Sequence, residues 1–172
     1  TRAQLALNWF PEAEHGGFYA AAVHGLYEKR GIEVDILGGG PEAPVIQRVA
    51  TGAVAFGVTN ADDVLNARAR EAPVVALMAP YQINPRCIMV HAASGIERIA
   101  DIGDLTMALS QRPAFSHYLK KKYPFPGVKL VPYPGNVTQF LMDPNFAQQA
   151  YIFSEPFVAR KQGADPRALL VS

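Results

Sequence analysis

Short apolar runs alternate with helical patterns along almost the whole chain, and that alternation limits the fold more than any other feature. Runs at 5–9, 32–37, 54–58, 74–78, 87–91, 106–109, 128–131, 150–153 and 169–171 read as strands. Stretches at 18–30, 44–52, 62–70, 114–123, 137–142 and 156–162 carry helical spacing or helix boundary signals. In the first of these, Phe18, Ala21, Ala22 and Leu26 are spaced for one buried stripe, and Gly31 follows Lys29 and Arg30 as a helix stop. Strands that alternate with helices at this spacing imply parallel sheets covered by helices, an α/β class. The stretch 79–86 breaks the pattern with Pro80, Tyr81, Asn84 and Pro85. It divides the chain into a first lobe at 1–82, a hinge at 83–86 and a second lobe at 87–168. Residues 169–172 read as the start of a return to the first lobe.

Composition removes several function classes. The 172 residues include 16 basic and 15 acidic side chains, for a net charge of +1. A polyanion partner calls for a basic excess, so no nucleic acid is expected. A single cysteine, Cys87, rules out an intramolecular disulfide and a Cys-rich zinc site; it reads as a buried strand residue. No apolar run reaches the ~20 residues that cross a bilayer. The chain opens at Thr1 and reads as one from which a leader has been trimmed. Neither a G-x-S-x-G elbow nor an HExxH pair is present, and Gly38–Gly40 satisfies neither GxGxxG nor GK[ST]. The triple glycine reads as a tight turn that lets backbone approach a cleft.

In a parallel α/β lobe, ligands meet the carboxyl ends of strands and the helix N-termini that follow. Here those loops are 10–17, 38–44, 59–62, 110–113, 133–136 and 154–156. They hold His15, the three glycines, Asn60, Arg112, Asn136 and Glu155. Trp9 and Tyr19 either stack on an aromatic ligand or serve as core residues at a strand end. Glu155 either accepts hydrogen bonds from a ligand or is a first-turn carboxylate favoured by the helix dipole. His91 and His117 read as structural or solvated, and Lys120–Lys122 as a solvated helix end.

Ten motifs, in order, carry a resemblance. They are Leu7-Asn8-Trp9-Phe10-Pro11, His15-Gly16-Gly17-Phe18-Tyr19-Ala20, Gly25-Leu26-Tyr27, Gly31-Ile32-Glu33-Val34, Gly38-Gly39-Gly40-Pro41, Val49-Ala50-Thr51-Gly52, Phe56-Gly57-Val58, Tyr118-Leu119-Lys120-Lys121-Lys122-Tyr123, Val131-Pro132-Tyr133 and Phe153-Ser154-Glu155-Pro156-Phe157. The chain resembles the periplasmic solute-binding proteins of ABC transporters that take thiamine pyrimidine precursors. The resemblance implies an α/β, two-lobed, hinge-closing type II periplasmic-binding-protein-like fold, C-terminally short against the family. It implies a binder of a small heterocycle in the inter-lobe cleft, with no enzymatic activity, no catalytic residue, no metal and no cofactor. The candidate ligand-binding residues are Trp9, His15, Tyr19, Gly39, Asn60, Ser110, Arg112, Asn136 and Glu155: the resemblance implies Trp9, His15, Tyr19, Asn60, the Ser110–Phe115 segment and Glu155, and the strand-end loops add Gly39 and Asn136. Trp9 would lie against a flat ring, and Glu155 would accept hydrogen bonds from an aminopyrimidine.

Ser110-Gln111-Arg112-Pro113 departs from the Gly-rich loop of the family, and Arg112 suits a carboxylate, sulfonate or phosphate. Riboflavin, an alkanesulfonate or another anion is therefore an alternative ligand. A second alternative is a pyrimidine-synthase-like enzyme that uses His15 as substrate with pyridoxal phosphate. The chain lacks the cysteine-rich iron-binding motif of those enzymes, which ranks this reading lower. The implied partners are a small-molecule ligand and a membrane permease, and a dimer could cover the surface left by the missing C-terminal region. The implied location is periplasmic or extracellular, with a lipid anchor allowed.

Overall fold

A computed structural model describes residues 1–111 and 114–171. The chain divides into two compact units, one from Thr1 to Pro80 and a second beginning at Tyr81.

The first unit is built on three parallel strands. These are β1 (Arg2–Ala6), β2 (Glu33–Leu37) and β3 (Phe56–Gly57), in the order β2-β1-β3. β1 pairs with β2 from Arg2↔Glu33 to Ala6↔Leu37, and with β3 at Leu5↔Phe56 and Ala6↔Gly57. Leu5, Ala6 and Leu7 are buried. The sequence pattern puts the first strand at 5–9, but pairing stops earlier. After the Leu7 N–H donates to Leu37 O at 2.9 Å, the chain turns, and Trp9 O accepts from the Gly39 N–H at 2.9 Å.

Helix α1 covers Gly16–Val23, not the longer 18–30 of the periodic pattern. Gly25 takes φ +62°, a left-handed conformation that ends the helix. A separate 3-10 turn, Glu28–Arg30, then stops at Gly31 (φ +69°), the glycine expected to serve as the stop. The expected buried stripe is not formed. No α1 residue is buried, and Leu26 is 50% exposed. Periodicity marks a face; it does not supply a surface to cover it.

Helices α2 (Val45–Ala50, with Pro44 at its N-cap) and α3 (Ala61–Ala69, with Asn60 at its N-cap) follow. Residues 74–78 were expected to form a strand and belong to none. Val74 is buried, while Val75, Leu77 and Met78 stand 70–74% exposed. Apolar, β-branched composition favours extended chain, but a strand also needs a paired edge. β3 pairs over only two residues and gives 74–78 none.

The second unit holds a five-stranded sheet in the order β6-β5-β7-β4-β8. Its strands are β4 (Arg86–His91), β5 (Thr106–Leu109), β6 (Lys129–Pro132), β7 (Phe146–Tyr151) and β8 (Pro166–Leu170). β5 is parallel to β6 and β7, whereas β4 runs antiparallel to β7 and β8. The sheet is therefore mixed, where the sequence pattern implied a parallel one. Only 3-10 turns and loop, with no α-helix, link β4 to β5. Without a crossover helix the chain does not return across the sheet, so β5 starts near the edge where β4 stops. Residues 169 and 170, which read as the start of a return to the first lobe, instead complete β8 beside β4.

Strand alternation splits the core into two layers. Ile88, Val90, Met107, Leu109 and Ala147 pack under Phe115 and Leu119 of α4 (Ala114–Lys122). Cys87, Met89, Ala108, Phe146 and Ala150 pack under Phe140 of α5 (Thr138–Met142) and Ala159 of α6 (Glu155–Lys161). The ring of His91 stacks on Phe140 at 3.9 Å and 4°. Cys87 is fully buried, as its strand setting implied, and its Sγ donates to Ala150 O at 3.4 Å.

Candidate functional site

Each unit collects polar and aromatic side chains where its parallel strands end. In the first unit those ends lead to Trp9 after β1, Gly39 after β2 and Asn60 after β3. Trp9 is partly exposed and meets Phe10 edge-on at 5.5 Å. At Gly39 a Cβ would collide with the Leu7 carbonyl oxygen and lie 2.8 Å from the Leu7 and Asn8 carbonyl carbons. The two backbones cross there because one of the residues is glycine. Asn60 donates from Nδ2 to Asp63 Oδ2 at 3.0 Å, and the Thr59 hydroxyl donates to the same oxygen at 3.0 Å. Tyr19 is partly buried on α1.

His15 differs from what an open ligand contact requires. It is 1% exposed, and both of its ring nitrogens are engaged. Nδ1 accepts from the Glu12 N–H at 3.4 Å, so Nε2 carries the proton and donates to Asn8 Oδ1 at 3.2 Å. Burial pushes its pKa below the ordinary imidazole value of 6.5, opposed by the nearby Glu12 carboxylate. In this state the neutral ring clamps the loop that carries Trp9.

In the second unit the equivalent edge is richer. The Ser110 N–H donates to Gln149 Oε1 at 2.7 Å, and Gln149 Nε2 donates back to Ser110 Oγ at 2.8 Å. This reciprocal pair ties the end of β5 to β7. Glu155 accepts from the Tyr133 hydroxyl at 2.7 Å and from the Tyr151 N–H at 2.8 Å. The carboxylate is thereby fixed between the strand ends of β6 and β7. It also helps burial push the Cys87 thiol up to about 12, which keeps that sulfur protonated. Asn136 is exposed and closes its own turn, accepting from the Thr138 N–H at 3.0 Å. Arg112 lies outside the described residues.

The structure thus gathers Ser110 and Glu155 on one strand edge of the second unit, and Trp9, Gly39 and Asn60 on one strand edge of the first. Asn136 points its amide into a local turn. Three residues of the second edge went unread: Tyr133, Gln149 and Tyr151. Tyr133 had a signal, since it follows a strand directly. Gln149 and Tyr151 had none, because mid-strand polar residues look alike until register pairs them. A cavity of about 570 Å³ lies elsewhere on the second unit, lined by His91, Ile102, Asp104, Asn145 and Phe146. It sits where β5 and β7 begin, the opposite edge from Ser110 and Glu155. Among the described residues, no group of three His, Cys, Asp or Glu side chains could hold a metal ion.

The profile of the NMT1/THI5-like family matches residues 12–169. The chain belongs to that family. It is 28% identical over 117 residues to the formylaminopyrimidine-binding protein of Halalkalibacterium halodurans, covering 68% of this chain and 36% of that protein. It is 27% identical over 186 residues to the riboflavin-binding protein RibY of Chloroflexus aurantiacus, covering 98% of this chain and 50% of the relative. The chain therefore spans between about a third and half of the length of these curated relatives. Among solved structures, the periplasmic aliphatic sulphonate binding protein SsuA of Escherichia coli superposes with a TM-score of 0.69 at 17% identity. That match covers 98% of this chain and 56% of SsuA. It agrees with the expected α/β periplasmic-binding-protein fold. These named relatives are binding proteins. No helix among the described residues is long and apolar enough to cross a membrane.

Proposed function

We propose that this chain is the solute-binding component of an ABC transporter, acting outside the cytoplasm and taking a small, flat, polar heterocycle of the formylaminopyrimidine class. The observation that carries this reading is the fixed carboxylate of Glu155, held by Tyr133 and Tyr151 at the strand ends of a chain in the NMT1/THI5-like family. A carboxylate oriented before the ligand arrives accepts from an exocyclic amine without reorganising, which is how a few polar groups set specificity in a mostly apolar site. The Ser110–Gln149 pair on the same strand edge offers a further polar contact, and Trp9, on the first unit's own strand edge, presents a ring suited to stacking. On this reading the chain carries out no covalent chemistry, and its macromolecular partner is a membrane permease. Riboflavin is the second ligand class, favoured by a relative that matches 98% of the chain.

Isothermal titration with a formylaminopyrimidine, riboflavin and an alkanesulfonate tests the proposal. The expected result is saturable heat and a raised melting temperature with the pyrimidine or the flavin. Absence of heat and of thermal shift with all three overturns it.

A further inference from the structure

Among the described residues, Arg86 on the second unit's strand edge has no anionic partner. Arg86 opens β4 and lies opposite Tyr151 of β7, while Ile88 lies opposite Gln149. Strand alternation therefore puts Arg86, Gln149 and Tyr151 on one face of the sheet, the face that α4 covers. The guanidinium carbon sits 4.4 Å from the centre of the Phe115 ring and 5.7 Å from that of Tyr151. Arg86 is partly buried. Its backbone is occupied: its N–H donates to Asn84 Oδ1 at 3.0 Å, and its carbonyl accepts from the Val171 N–H at 3.1 Å. Among the described residues its guanidinium makes no hydrogen bond and no ion pair.

Ring contacts engage a guanidinium through its face and leave its in-plane N–H donors unused. Five donors withdrawn in part from water favour an acceptor, and the group that matches their fork is an oxyanion bound through two oxygens. The neighbouring carboxylate does not meet that need, since Glu155 is directed to Tyr133 and the Tyr151 backbone. Phe115 and Tyr151 hold the arginine in place, so an incoming anion orders little that is not already ordered.

We infer that Arg86 is the anion-recognising residue of this strand edge, and that the chain's ligand carries a carboxylate, sulfonate or phosphate group which the guanidinium takes in bidentate fashion. The inference rests on the binding-protein reading above and narrows its ligand class from a neutral heterocycle to a charged one.

Isothermal titration compares riboflavin with riboflavin 5′-phosphate, and an aminopyrimidine alcohol with its phosphate ester, on the chain as it stands and on Arg86→Gln. The phosphorylated member of a pair should bind at least about tenfold more tightly to the unaltered chain, the range of a hydrogen bond to a charged group. In Arg86→Gln the two members should bind alike, with the neutral member unchanged. Equal binding within both pairs on the unaltered chain overturns the inference, as does a phosphate preference that survives Arg86→Gln.

A second measurement covers a variant that does not fold and a panel that does not bind. Ethanesulfonate, which has no ring, is titrated into arginine-labelled protein while the Nε–Hε resonances are followed, with Arg86→Lys identifying the Arg86 signal. A saturable shift of that signal alone supports the inference even if every heterocycle fails, and then it is the heterocycle reading that falls. No shift, or the same shift at all arginines, overturns it.

Discussion

Replacing Gly39 with alanine tests the link between the first unit's fold and its strand-end loops. The new Cβ would run into the Leu7 carbonyl oxygen and the carbonyl carbons of Leu7 and Asn8. Those atoms are backbone and cannot swing aside as a side chain would. Gly39 is not among the positive-φ glycines, so no left-handed backbone adds to the steric cost. Overpacking of this kind costs about 1–3 kcal/mol. Relief requires the crossing to widen, which strains the Leu7 N–H to Leu37 O and Gly39 N–H to Trp9 O bonds, both 2.9 Å. Each contributes about 1 kcal/mol. Their sum predicts a loss of about 3–5 kcal/mol for Gly39→Ala.

The control is Gly38→Ala, whose Cβ would meet only Pro11 side-chain carbons, at 3.6 and 3.7 Å. That is ordinary contact, and the stability change should stay within about 0.5 kcal/mol. Trp9 is the sole tryptophan and lies at the crossing, so its fluorescence during urea unfolding reports on this unit. If Gly39→Ala and Gly38→Ala unfold at the same urea concentration, the steric account of the crossing is wrong.

Four further outcomes are expected. Phe140→Ala removes a fully buried ring stacked on His91 and should cost about 3–5 kcal/mol in denaturant unfolding; a loss under about 1 kcal/mol would mean that the layer collapses to fill the space. His15 is held neutral, so below pH 6.5 the unfolded chain takes up a proton that the folded chain resists. Stability should be level above that pH and fall below it, and His15→Gln should flatten the fall in thermal melts taken across the range; an unchanged slope removes His15 as its source. Cys87, with its thiol pushed up to about 12 and fully buried, should resist a thiol reagent at pH 8 until urea unfolds the chain; rapid native labelling would contradict that burial. Trp9→Ala should weaken a heterocyclic ligand by about 1–3 kcal/mol in calorimetry, and unchanged affinity takes Trp9 out of the site.

Local chemistry reached the page directly from the sequence. Gly31 after Lys29 and Arg30 marked a helix stop because only a left-handed residue closes the turn that way, and it stands at φ +69°. Pro44 and Gly52 bounded a helix for the same kind of reason, and the apolar run beginning at Cys87 marked a strand buried on both faces. The break at 79–86 was visible because proline and asparagine interrupt both periods. Where the motifs matched a family across residues 12–169, order and spacing carried the α/β class as well.

What depended on partners was not legible. The pattern at 74–78 looks as strand-like as that at 87–91, yet only the second finds edges to pair with, between β7 and β8. The direction of β4 follows from a linker without a crossover helix, and the pairing of Ser110 with Gln149 follows from register across 39 residues. His15 looked like an open loop imidazole because glycines surround it, while the folded loop closes Glu12 and Asn8 around both nitrogens. The chain's own residues determined its turns, stops and strand propensities, since those are set by atoms a few bonds apart. Only tertiary structure decided which polar groups share an edge, because hydrogen bonds and ring contacts between distant segments exist only once a sheet has brought them together.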